Sequence, residues 1–148
     1  MTRVVSLFLP SWSTDRLRRK AGDAAPPAEA PLVLIGREGN RRVVMAANAA
    51  AVAASLCPGM PVTKAQVLVP DLIVQDAEPA ADVEALDRLA TWLLRYAPVV
   101  APDPPDGIII DSTGADHLHG GEAAMLEGLI GRLAMSGIAA RGAIADSW

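Results

Sequence analysis

The chain has 148 residues, of which 51% are hydrophobic and 20% charged, so most of it should be globular around a real core. A formal net charge of −4 and a pI near 5.1 argue against binding nucleic acid by bulk charge alone. One cysteine, Cys57, excludes an internal disulfide and fits a reducing cytosol, and no apolar run approaches the roughly 20 residues of a membrane span.

In chain order, RVVSLFL (3–9) reads as a buried strand stopped by Pro10, in a start that lacks the cleavage site of a signal peptide. STDRLRRK (13–20) follows as a helical segment with Ser13 or Thr14 at its N-cap and a basic face of Arg16, Arg18, Arg19 and Lys20. AGDAAPPAEAP (21–31) is an Ala/Pro-rich linker, and PLVLIG and RRVVMAAN are two short strands joined by REGN. NAAAVAASL is a helix broken by Pro58 and Gly59. TKAQVLVP is another short helix and LIVQD a short strand. DVEALDRLATWLLRYA is the clearest helix: Val83, Leu86, Leu89, Ala90, Leu93 and Ala97 share a face, and Pro98 stops it. VVAP and IIID are strands around the tight connection DPPDG. GEAAMLEGLIGRLAMSG is a second amphipathic helix through Met125, Leu129 and Leu133, and IAARGAIA is the last strand. The ending ARGAIADSW, a strand-like run with no cap or polar tail, reads as part of a longer protein.

With 21–76 set aside, the order is βαββαβ, the ferredoxin-like arrangement of the α+β class. The middle strands form a hairpin, two helices cover one face, and crossover handedness puts the third strand beside the first, antiparallel. The division is therefore 1–20 and 77–148 for the ferredoxin-like core, and 21–76 for a linker with a small inserted lobe.

That topology makes PPDGIIIDSTG (104–114) the segment to question. A carboxylate at the mouth of a buried strand is where phosphoryl-transfer enzymes hold Mg²⁺. Any partner for Asp106 must sit near Leu7 to Leu9, where no acidic residue exists. Asp111 lies some 17 Å further along the strand and reads as a turn cap with STG. Asp106 itself is open to two readings, a PDG turn residue or a leftover metal position.

Here the residues resemble the Y-family translesion DNA polymerases, whose palm has this βαββαβ core with the fingers inserted, here at 21–76. PGMPVTKAQVLVPDLIV (58–74) resembles the family's GMP segment with its following helix and PDL turn. DGIIIDSTG resembles its catalytic segment, written S-I-D-E-A-F-L-D-V-T-G. By that resemblance the first-strand motif D-M-D-A-F-F falls on Leu7, Phe8, Leu9, Pro10, Ser11 and Trp12, so both aspartates are leucine. The S-I-D-E aspartate falls on Asp106 and its glutamate on Gly107. The triphosphate-binding Y-x-x-R falls on Ala49 through Val52. The resemblance thus implies degenerate catalytic positions at Leu7, Leu9, Asp106 and Gly107, degenerate triphosphate-binding positions at Ala49 and Val52, and no metal or other cofactor. Leu7 and Leu9 share a strand face. If that face looks toward the former cleft, Leu7, Leu9 and Trp12 partly fill it.

This loss of both metal and triphosphate ligands is similar to the catalytically degenerate, ImuB-like branch of the family. The branch implies a scaffold in error-prone DNA repair in the bacterial cytoplasm, associated with the nucleoid during DNA damage. Its implied partners are a RecA-like or SulA-like accessory protein, the sliding clamp, an error-prone replicative-type polymerase and primer-template DNA, with no membrane. Arg37, Arg41, Arg42 and Lys64 are the candidate nucleic-acid contacts. His117 and His119 lack the third ligand that zinc needs, Cys57 has no base paired with it in sequence, and Arg16 to Lys20 read first as a solvated helix face. Two rivals stay open: an active Y-family polymerase with displaced ligands, and an unrelated ferredoxin-like sensor or binding module.

Overall fold

The structure, a computed structural model, describes residues 3–113 and 120–145. Among these the order is β1 (Val4–Phe8), α1 (Trp12–Ala21), a 3-10 turn (Gly22–Ala24), β2 (Leu32–Glu38), β3 (Arg41–Ala47), α2 (Ala49–Ala53) and α3 (Val62–Leu68). It continues with β4 (Ile73–Asp76), α4 (Pro79–Leu93), β5 (Val99–Asp103), β6 (Gly107–Asp111), α5 (Glu122–Met135) and β7 (Arg141–Ala145). The helix after β1 starts at Trp12, ahead of both Ser13 and Thr14. No helix among the described residues is long and apolar enough to cross a membrane.

The chain divides into two compact units, one taking the residues up to Trp12 and from Ala80 onward, the other Ser13–Pro79. The division falls inside α1. Residues 13–20 and 77–79, which the strand-helix order places with the ferredoxin-like core, belong to the second unit.

In the first unit four strands pair in the order β5-β6-β1-β7, each antiparallel to its neighbours. This is the ferredoxin-like sheet, with the third strand of the core beside the first. Alternation along β1 sends Val5 and Leu7 to the face shared with Ile108 and Ile110, and Ser6 and Phe8 to the other. The first face is the covered one. Its side chains join Leu86, Ala90 and Leu93 of α4 and Met125, Leu129 and Leu133 of α5 in one core.

α4 begins earlier and ends earlier than its apolar pattern suggests. Val83 is exposed, and Ala85 and Asp82 are buried in its stead. Beyond Leu93 the chain tightens into i→i−3 turns, with the Tyr96 amide donating to the Leu93 carbonyl at 2.9 Å. Pro98 disfavours helical backbone at Ala97, so the helix unwinds before reaching it. α5 ends on Gly137 at φ +82°, and the Ile138 amide donates back to the Leu133 carbonyl at 2.8 Å. Glycine adopts that left-handed conformation without strain, and Ile138 and Leu133 are both buried beneath the cap.

The second unit has the sheet order β3-β2-β4, with β2 and β3 antiparallel and β2 and β4 parallel. The β2–β3 hairpin turns at Gly39 and Asn40, with Gly39 at φ +65°. Val33, Ile35 and Val44 pack with Ala51 of α2 and with Val62 and Ala65 of α3. The parallel pairing of β2 and β4 needs a long crossover, and α2 and α3 lie within it.

Candidate functional site

The end of β1 and the start of β6 meet as the strand order requires. Phe8 pairs with Gly107 and Leu7 with Ile108, and the Leu9 amide donates to the Asp106 carbonyl at 2.8 Å. Leu7 and Leu9 are 1% and 0% exposed. Their common face looks onto α4 and α5, so neither fills a surface cleft. They are core residues, which corrects the expectation of an apolar plug. Trp12 belongs to the same core, with its amide donating to the Leu9 carbonyl at 3.2 Å and its indole N–H to the Asp82 carbonyl at 3.0 Å.

Asp106 is half-buried in the turn between β5 and β6, beside Gly107, which pairs with Asp103. A Cβ at position 107 would stand 3.0 Å from the Asp103 carbonyl oxygen and 3.4 Å from its Oδ2. A side chain here therefore needs the hairpin to give way, and a carboxylate would face a second carboxylate. No group of three His, Cys, Asp or Glu among the described residues could hold a metal ion. Asp111 sits at the far end of β6, where its Oδ1 accepts the Thr113 amide at 3.0 Å. The Thr113 side chain first, and then this amide hydrogen bond, hold its carboxyl below the usual carboxylate range. Thr113 Oγ1 in turn accepts the Arg3 amide at 2.9 Å, and Arg3 grips Glu122 bidentately at 2.6 Å for both contacts. These are ties between the sheet and α5. His117 and His119 lie outside the described residues.

In the second unit Ala49 and Val52 are exposed on α2, a five-residue helix with neither a cation nor a hydroxyl. Asn48 caps it. Its Oδ1 accepts the Ala51 and Leu32 amides at 2.9 and 3.0 Å, and its Nδ2 donates to the Ala30 carbonyl at 2.9 Å. By sequence Asn48 reads as the first residue of the helix NAAAVAASL, whereas the structure makes it the cap. The signal was present, since asparagine ahead of an alanine run is a favoured cap.

Arg37, Arg41 and Arg42 come together at the exposed end of the β2–β3 hairpin, where Arg37 pairs with Arg42 and Arg41 with Glu38. Like charges directly opposite each other disfavour the pairing. Lys64 is exposed on α3. Arg16 departs from the solvated face proposed for it: it is 9% exposed and its Nη2 donates to Glu78 at 3.1 Å. Lys20 approaches the other Glu78 oxygen at 3.8 Å. The Arg16 hydrogen bond and then the Lys20 charge hold the Glu78 carboxyl below its usual range.

The profile of the impB/mucB/samB family matches residues 24–147. The chain belongs to the impB/mucB/samB family. Over 92 residues, 62% of the chain, it is 53% identical to "Protein ImuB" from two strains of Caulobacter vibrioides. That match covers 20% of those proteins, so the chain spans about a fifth of the length of the curated relatives it matches. Among solved structures, the post-insertion binary complex of Dbh DNA polymerase matches 97% of the chain at a TM-score of 0.77 and 18% identity. DinB from Sulfolobus solfataricus matches all of it at 0.72 and 19%. Those matches cover 42% and 43% of the polymerase chains. The fold is therefore that of a Y-family polymerase palm region.

Proposed function

We propose that this impB/mucB/samB domain is a non-catalytic scaffold of error-prone translesion DNA synthesis. The observation that carries the reading is the burial of Leu7 and Leu9 in the core at the strand end facing Asp106. A two-metal reaction needs several carboxylates around cations about 3.5–4 Å apart. Mg²⁺ on a single carboxylate keeps most of its water and is held weakly. Gly107 adds no ligand, and Ala49 and Val52 supply nothing that clamps a triphosphate. An enzyme is thus the less favoured reading.

The role retained is assembly. Likeness to the ImuB proteins supports the bacterial cytoplasm as its setting. It also supports a RecA-like or SulA-like accessory protein, the sliding clamp and an error-prone replicative-type polymerase as partners. Arg37, Arg41, Arg42 and Lys64 are the residues proposed to meet primer-template DNA, with the opposed pair Arg37 and Arg42 best suited to a phosphate.

The test is primer extension by the full-length protein with Mg²⁺ and all four deoxynucleotides. No incorporation is expected. Template-directed extension that vanishes with Asp106→Ala would overturn the proposal.

A further inference from the structure

Aromatic residues are scarce in this chain, with three tryptophans, one tyrosine and one phenylalanine in 148 residues. Two of them occur together in the first unit at the C-terminal end of α4 and just beyond it. Trp92 and Tyr96 lie with ring centroids 5.6 Å apart, each only half-buried. Two guanidiniums address the same indole. Arg95 lies 4.5 Å from its centroid, and Arg132 reaches it from α5 at 5.8 Å. The Arg95 Nε–H also donates to the Trp92 carbonyl at 3.1 Å, which fixes the side chain.

Neither guanidinium pairs with a carboxylate among the described residues. That is unexpected from composition. The residues outside Ser13–Pro79 include ten Asp and Glu against five Lys and Arg, so acidic partners outnumber cations. Two arginines held on an indole, with most of their donors unspent in an acidic unit, form a preorganised receptor for carboxylate. Arg, Trp and Tyr are also the side chains that dominate protein interface energetics. An apolar contact is at hand. Met135 follows Arg132 by three residues on α5, so it lies on the same side of that helix, and it is 90% exposed.

We propose that Trp92, Arg95 and Arg132, with Tyr96 and Met135, form a docking site for an acidic segment of a partner protein. The partner places carboxylates on the two guanidiniums and an apolar side chain beside Met135. Charge selects the partner class. A continuous polyanion such as nucleic acid meets repulsion from the excess of acids in this unit, whereas a short segment with a few carboxylates and an apolar anchor does not.

The test uses the full chain and three fluorescent probes: a short peptide of glutamates interspersed with leucine and phenylalanine, the same peptide with glutamine for glutamate, and a single-stranded DNA of matching charge. Binding is read by anisotropy. The glutamate peptide should bind, and the glutamine peptide should bind at least about tenfold more weakly, as expected when charge-assisted hydrogen bonds are lost. Arg95→Gln and Arg132→Gln should each weaken the glutamate peptide. Arg141→Gln, which removes the same charge from an exposed position on β7, should leave it unchanged. DNA binding should not respond to Arg95→Gln or Arg132→Gln. Three results would overturn the proposal. The glutamate peptide fails to bind; it binds wild type and both variants equally, which makes the stacking purely intramolecular; or DNA binding falls in step with peptide binding, which assigns the site to phosphate.

Discussion

Placing an aspartate at position 7 would put a carboxylate where the resemblance to the D-M-D-A-F-F motif implies one, and the structure says what it would meet. Leu7 is 1% exposed, opposite Ile108, and so tightly enclosed that a Cβ on Gly142 would lie 3.2 Å from its Cδ2. Removing the leucine side chain forfeits about 2–5 kcal/mol of packing and transfer energy. The carboxylate would then titrate in an apolar core, where desolvation raises its pKa. A rise of about three units adds about 4 kcal/mol at neutral pH. The sum approaches the roughly 5–15 kcal/mol that holds a domain folded. The melting temperature of Leu7→Asp should fall by at least about 10 °C. Because the folded-state pKa lies above the unfolded value, the deficit is smallest at acid pH and grows as pH rises toward the folded pKa. Melting curves at about pH 5 and pH 8 read this directly. Leu7→Asn, with the same loss of packing and no titration, should show a deficit that ignores pH. Adding Mg²⁺ should not restore either variant. An unchanged melting temperature for Leu7→Asp, or recovery with Mg²⁺, would mean that position 7 still faces a working metal site.

Asn48→Ala removes a cap and two further hydrogen bonds at once, and equilibrium unfolding should show a loss of about 1–3 kcal/mol. Asp111, held below its usual range by Thr113, contributes stability that is complete above the unfolded carboxylate value and is lost as pH falls through the lower folded value. Asp111→Asn should therefore show a flatter acid limb below about pH 4 than wild type, and identical limbs would remove the Thr113 hydrogen bond from the account. If Arg37 and Arg42 hold DNA phosphate, their replacement by glutamine should weaken binding evenly across sequences and lower the salt slope by about one per residue. A change confined to particular sequences would point instead to base contacts.

Much of the fold was legible because burial leaves periodic marks. Met125, Leu129 and Leu133 predict the buried stripe of α5, and the apolar run at 108–110 between turn residues predicts the strand beside β1. Alternation also showed that Leu7 and Leu9 share a face. It carried no information on which face the helices cover, because that is decided by α4 and α5, more than seventy residues away. Arg16 was hidden for a different reason. A basic run reads as solvated, and only the fold brings Glu78 to it. The end of α4 was overextended because spacing places Ala97 on the buried face whether or not the backbone there is helical, and Ala97 is indeed buried. The Trp92 cluster combines its i+3 and i+4 neighbours, in the turns just beyond α4, with Arg132, which no local pattern ties to them.

The pairing of β1 also sets a timetable for assembly. Its partners in the sheet are Gly107–Asp111 and Arg141–Ala145, so its first strand contacts close loops of about a hundred residues or more. The β5–β6 hairpin closes across only Pro104, Pro105 and Asp106, an entropic advantage of about 3 kcal/mol over the β1–β6 contact. During synthesis the contiguous Ser13–Pro79 unit emerges whole and can fold while VVSLF is still without either neighbour. An apolar strand made about a hundred residues ahead of its partners is exposed throughout that interval. How long that strand waits for residues 107–111 is therefore a condition on folding separate from the stability of the finished domain.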